Sequence, residues 1–227
     1  MTPDTAGAGS TLAVNFNGPS LGAPSGVPQT LVLELQHGFK LNASAVADPC
    51  TAAQALQHAC PAASQVGTGS ATVLLSALPL PPMTINATIT AYFGQPLQRG
   101  DVGSIIAVLV GGGQTVQVAG RLMQLSSGPY GVELAFDSLP TFTPPPGFTA
   151  TVQQLAITSG ASRTIIEHRR VKVRVSKHRT RLRTKRVPVH VSLLTNPPKC
   201  DGSWAGRLAA QYSSGLFTAD ASLACAA

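Results

Sequence analysis

Residues 71–123 read ATVLLSALPLPPMTINATITAYFGQPLQRGDVGSIIAVLVGGGQTVQVAGRLM. Four runs, 71–77, 84–93, 103–110 and 115–123, are separated by the breaks LPLPPM, GQPLQRGD and GGG. Val, Ile, Thr and aromatic residues fill the runs, and Pro and Gly fill the breaks, which is the pattern of strands joined by turns. Proline inside a helix removes a hydrogen bond and clashes with the preceding turn, so the stretch argues against long helices. The same spacing continues outward in both directions. Runs 130–136 and 149–157 follow, and 200–213 and 216–223 read as closing strands. Before it, 11–17 (TLAVNFN) alternates, and 30–36 (TLVLELQ) puts Leu31, Leu33 and Leu35 on one face with Glu34 on the other, as a solvated strand residue. The pattern predicts an all-β fold: a single-domain antiparallel β-sandwich, jelly-roll-like or Greek key, over 11–227, with 1–10 as a flexible leader. No fixed-period repeat is present, so a propeller or solenoid is not expected.

Charged residues are only 11% of the 227-residue chain while hydrophobic ones are 44%, which suits a packed core better than disorder. No apolar run reaches the roughly 18 residues that a spanning helix needs; the strongest, 104–110 (SIIAVLV), has strand length. Met1 leads directly into TPDTAGAGST with no basic and apolar leader, which reads as a mature form or a cytosolic protein. The cysteines decide between these. Cys50 and Cys60 lie ten apart, and Cys200 and Cys225 lie 25 apart. Two local pairs predict two disulfides, and disulfides persist in oxidising compartments, so the expected location is secreted or cell-surface. One helix is expected, 51–58, with Asp48 as N-cap, Pro49 at the first helical position and Cys60-Pro61 ending it. It is too short to be stable alone, and a Cys50–Cys60 bridge would hold it.

The second informative stretch is 163–191, RTIIEHRRVKVRVSKHRTRLRTKRVPVHV. It holds eleven of the 16 Lys and Arg residues and one of the nine acids, Glu167. The remainder carries five bases against eight acids, so a slightly acidic body bears one ribbon of net charge +10. Val171, Val173 and Val175 alternate with Lys172 and Arg174, and Val187, Val189 and Val191 alternate with Pro188 and His190. Each set reads as a strand with valines inward. Pairing Val175 with Val187 centres the turn near Arg181. No Gly, Pro, Asn or Asp lies there to make a tight turn, so a projecting hairpin with a long mobile tip is expected. The expected contact residues are Arg169, Arg170, Lys172, Arg174, Lys177, Arg179, Arg181, Arg183, Lys185 and Arg186. Clustered bases attract polyanions by counterion release, and the excess of Arg over Lys suits bidentate contacts with phosphate, sulfate or carboxylate. His168, His178 and His190 would add charge at low pH. The ribbon contains no Phe, Tyr or Trp, which argues against single-stranded nucleic acid bound by stacking. Charged strands also protect sheet edges, but two or three lysines suffice for that.

Catalytic motifs are missing: there is no G-x-S-x-G elbow and no H-E-x-x-H. Gly67-Thr68-Gly69-Ser70 lacks the third Gly and the helix of a dinucleotide loop, and Gly111–Gly113 reads as a tight turn rather than a phosphate loop. Neither a metal nor a cofactor is expected. His58-Ala-Cys60 is the nearest approach to a zinc pattern, and it lacks the local ligand pairs such sites use. Asp101, Glu133 and Asp137 are the mid-chain acids from which a glycoside-cleaving pair would be drawn. Trp204, four residues past Cys200, would be the platform for a stacked sugar, or a core residue beside a disulfide.

The segment DPCTAAQALQHACPAASQVGTGSATV (48–73) and the later LLTNPPKCDGSW (193–204), with YFGQPL and YGVELAF between them, resemble uncharacterised, secreted, β-rich proteins of actinobacteria. Those carry NP-x-C, a short helix, CP-x-x-SQVG and a strand, and later an F-L-T-N-P-x-x-C block. The likeness spans roughly 31–225 and implies an exported, single-domain architecture. It implies no activity, since that family has none assigned. The chain departs from the pattern in placing a basic ribbon where the connector before LLTNP is usually acidic or neutral. The resulting expectation is a non-catalytic exported or cell-surface binding protein. Its basic hairpin would contact envelope polyanions, lipid headgroups or extracellular nucleic acid. The alternatives are a hydrolase of cell-envelope glycans, with Glu133 and Asp137 converging, and a structural module that self-associates through strand edges.

Overall fold

The computed structural model describes residues 1, 3–24, 26–77, 79–139, 147–176 and 179–226; for 19, 20, 52, 173–176, 179 and 180 it describes the backbone only. The chain is all-β and antiparallel. In order it forms β1 (Gly9–Ser10), β2 (Leu12–Asn17), a short helix α1 (Gly18–Leu21), β3 (Thr30–Gln36), β4 (Lys40–Leu41), helix α2 (Ala52–Leu56), β5 (Gln65–Ala77), β6 (Leu80–Gly94), β7 (Gly103–Gly111), β8 (Gln114–Gln124) and β9 (Tyr130–Phe136). There follow β10 (Thr149–Ser159), β11 (Ser162–Ser176), β12 (Arg179–Ser192), β13 (Leu194–Thr195), β14 (Ser203–Tyr212) and β15 (Gly215–Ala224).

Ten strands form one sheet in the order β15-β14-β3-β9-β8-β7-β6-β5-β10-β2. Its centre is the meander β5 to β9, and β10 then returns past the meander to pair with β5, a Greek-key return over five strands rather than three. The sheet curls until its two outermost strands meet. Phe16 on β2 and Phe217 on β15 stack edge to face at 6.3 Å between ring centroids. The enclosed face carries the core: Ile89, Ala91 and Phe93 on β6, Ile105 and Ala107 on β7, Val118 and Leu122 on β8, and Phe136 on β9. These residues alternate with outward ones, as a pleated sheet requires.

Glycines set two local features that hydrophobic patterning does not show. β5 begins at Gln65, well before residue 71, because Gly67 and Gly69 let it run close against β10. A Cβ on Gly69 would lie 2.2 Å from the Ala156 carbonyl oxygen. The segment is therefore strand, not a nucleotide loop. Gly112 and Gly113, with φ of 58° and 75°, make the two-residue turn between paired Gly111 and Gln114, where both positions need positive φ.

Both expected disulfides form, Cys50–Cys60 with Cα atoms 5.1 Å apart and Cys200–Cys225 at 5.9 Å. The first packs with Ala55 of α2 on Ile106 and Tyr92, outside the curled sheet. The expected N-cap, Asp48, is displaced by Thr51. The Thr51 hydroxyl accepts from Gln54 N at 3.2 Å, and the Gln54 side chain accepts from Thr51 N at 2.9 Å. This T-x-x-Q capping box satisfies two orphan donors at once, which Asp48 followed by Pro49 does not.

Within the expected leader, residues 3–10 are held against the body. Gly9–Ser10 pairs with β13, and β13 pairs with β4 in a small three-stranded sheet. The buried Asn196 side chain donates to the carbonyls of Pro3 and Thr5, both at 3.0 Å, and accepts from the Ser10 hydroxyl at 2.7 Å. No helix among the described residues is long and apolar enough to cross a membrane, and the two disulfides are consistent with an extracellular protein.

Candidate functional site

The basic segment forms a separate two-stranded sheet, β11 with β12. Its register runs from Ser162↔Ser192 to Ser176↔Arg179. This overturns the expected pairing of Val175 with Val187: Val187 faces Glu167, and residues 177 and 178 alone separate the paired ends. The expected turn at Arg181 and the long loop around it give way to continuous strand. The cause is at the base, not the tip. Leu193 N donates to Ala161 O at 2.7 Å, and Asn42 N to Leu193 O at 2.9 Å. The Arg163 guanidinium donates to Ser44 O at 2.6 Å. Val191 and Leu193 are buried in the main core, and Ile165 and Val189 pack against it. Entry and exit of the ribbon are thus fixed by the body, and the register follows outward from them.

Alternation then sorts the side chains onto two faces. One carries Ile165, Val189 and Val191 at the base, and beyond them Glu167, Arg169, Val171, Arg181, Arg183 and Lys185. The other carries Ile166, His168, Arg170, Lys172, Leu182, Arg186, Pro188 and His190, all exposed. Arg169 stands directly across from Lys185, and His168 from Arg186. The one acid, Glu167, is paired with Arg169 at 2.9 Å. Of the ten expected contact residues, Arg169, Arg170, Lys172, Arg181, Arg183, Lys185 and Arg186 are exposed along this ribbon. Lys177 lies outside the described residues, and so do the side chains of Arg174 and Arg179.

Trp204 is not a sugar platform. It is 1% exposed, its ring meets Phe39 edge to face at 5.4 Å, and its indole N–H donates to Lys199 O at 3.1 Å. The chain turns it inward because Cys200–Cys225 pins the end of the β14–β15 hairpin over the cluster of Leu35, Phe39, Val132 and Leu194.

The acids are arranged differently from expectation. Glu133 lies on β9 and Asp137 just past its end, and both act electrostatically on Arg121. Asp137 lies 3.9 Å from Arg121. The carboxylate brought beside Glu133 is that of Glu34, its direct cross-strand partner, with Arg207 4.0 Å from Glu34. Burial, and then the charge of Glu34, push the Glu133 carboxyl above the usual range. The hint in the sequence was the single Glu inside each of TLVLELQ and YGVELAF; only the register shows that the two meet. Asp101, with no exposed side-chain surface, accepts from Arg121 at 2.9 and 3.2 Å and from Gln98 N at 2.8 Å. The Arg121 hydrogen bonds hold its carboxyl below the usual range.

These two shifts have opposite linkage. The ionised Asp101 stabilises the fold above its unfolded-state pKa, about 3.9, and this stabilisation is lost as pH falls through the depressed folded value. Glu133 imposes a penalty above its raised folded pKa that disappears as pH falls through it. Urea midpoints should therefore fall below about pH 4 in the wild type and fall less in Asp101→Asn. Equal acid slopes for the two proteins would contradict the Asp101 assignment.

Among the described residues no group of His, Cys, Asp and Glu is disposed to hold a metal ion. Comparison of the chain with protein-family models, with curated proteins and with solved structures gave no match.

Proposed function

We propose that the protein is an exported, non-catalytic binding protein that holds anionic polymers on the ribbon β11–β12. The observation that carries this reading is the row of exposed bases along the ribbon, with Arg169 directly across from Lys185 and Glu167 the lone acid of the stretch. Such a pair opposes strand pairing by a few tenths to about 1 kcal/mol. The ribbon therefore carries a charge pattern that works against its own folding, and an anionic partner relieves it. Export is supported by the two disulfides and by the resemblance to secreted β-rich proteins.

The test compares heparin retention of the wild type with that of a variant in which Arg170, Lys172, Arg181, Arg183, Lys185 and Arg186 are replaced by Ser. At a slope of roughly 0.7 per contact on a flexible chain, six ionic contacts lose about 300-fold in affinity between 50 and 200 mM salt. The variant, which keeps Arg169, Arg174, Lys177 and Arg179, should elute at clearly lower salt than the wild type, with a slope shallower by about 4. Elution of both proteins at the same salt would refute the reading.

A further inference from the structure

Resting on that reading, we infer that the ribbon is two-sided: it holds two linear anionic chains at once, one on each face. The body covers only the base. Ile165, Val189 and Val191 pack against the core, while Ile166, on the opposite face of the same stretch, is 58% exposed. Beyond Glu167 both faces are open. One presents Arg169, Arg181, Arg183 and Lys185, and the other presents Arg170, Lys172 and Arg186 with His168.

A flat anionic surface such as a bilayer engages one face of a ribbon. A protein built for it would place its bases on that face and leave the other neutral. Here the bases whose side chains are described lie on both faces, four beyond Glu167 on one and three on the other, and Arg181, Arg183 and Lys185, like Arg170 and Lys172, are spaced along a strand by two residues, about 6.7 Å. Leu182 and Ile166 on the second face are separated by the Arg170/Thr184 and His168/Arg186 positions, so no continuous apolar strip is available to enter a membrane. Layers pack about 10 Å from a sheet. Two chains on opposite faces therefore run about 20 Å apart, beyond the Debye length of about 8 Å at physiological salt, and do not repel one another appreciably. The ligand class that fits is a linear sulfated or phosphorylated polymer, and the consequence is bridging of two such chains by one protein.

Stoichiometry tests this directly. A heparin-derived octasaccharide supplies sulfate chains and a short linear polyphosphate supplies phosphate chains, each titrated calorimetrically. Anionic phospholipid vesicles form a third arm. Three proteins are compared: the wild type, a first-face variant (Arg169→Ser, Arg181→Ser, Arg183→Ser, Lys185→Ser) and a second-face variant (Arg170→Ser, Lys172→Ser, Arg186→Ser). The wild type should take up two short chains per protein, and each variant one; whichever of the sulfate and phosphate arms binds identifies the anion. One chain on the wild type, with one variant inert and the other unaffected, would overturn the two-sided arrangement while leaving polyanion binding intact. Binding to vesicles alone would overturn it in favour of a membrane surface. No binding in any arm would overturn both this and the reading beneath it. Unchanged thermal transitions of the two variants exclude misfolding as the cause, since every replaced side chain is exposed.

Discussion

Reduction of both disulfides, or replacement of all four cysteines by alanine, should lower the melting temperature by about 12–24 °C. The chain-entropy model assigns about 2.7 kcal/mol to a ten-residue loop and about 3.5 kcal/mol to a 25-residue one. The two bridges close loops of these lengths, 10 and 25 residues. They sit in separate clusters, one outside the sheet with Ile106 and one beside Trp204, so their contributions should add. The total of about 6 kcal/mol approaches the whole net stability of an ordinary domain. At roughly 2–4 °C per kcal/mol for a chain of this size, it gives the stated shift. Calorimetry with and without reductant measures it. A shift under 3 °C would mean that the bridges constrain little the fold does not already hold.

Trp204→Ala is expected to cost about 3–5 kcal/mol, the usual range for removing a large buried aromatic side chain. Three losses combine. The ring is 1% exposed and fills the space between Phe39, itself 0% exposed, and Leu35. Its edge-to-face contact with Phe39 disappears. The Lys199 carbonyl loses the indole donor at 3.1 Å. Trp204→Phe keeps a ring but not the donor, and should cost about 1–3 kcal/mol for the unpaired carbonyl plus a smaller packing term. Denaturant midpoints at constant slope distinguish the two variants. A Trp204→Ala protein as stable as wild type would show that the cluster under the Cys200–Cys225 bridge collapses to fill the gap.

Element positions were largely legible in the chain. β3 and β9 occupy the expected 30–36 and 130–136, because short apolar runs bounded by turn residues report a strand without reference to its neighbours. β6 and β8 each extend a residue or more beyond the expected runs, into Pro and Gln that pattern alone does not assign to strand. The ribbon's charge was equally plain, being a matter of composition along the chain. α2 lies within the expected 51–58, but it is capped by Thr51-x-x-Gln54 rather than by Asp48-Pro49.

What the sequence by itself determined is therefore local: which residues are strand, which cysteines are near enough to pair, and where the charge is concentrated. Tertiary structure alone decided the register of the ribbon, the inward turn of Trp204, the meeting of Glu34 with Glu133, and the closure of β2 on β15. The physical reason is common to all four. Periodicity tells a side chain's face only relative to its own strand. Which residue it opposes depends on where the strand enters and leaves the body, and those points are fixed by contacts far away in sequence. For the ribbon these are Ala161 with Leu193 and Ser44 with Arg163. Those anchors set the division of its described basic side chains between two open faces.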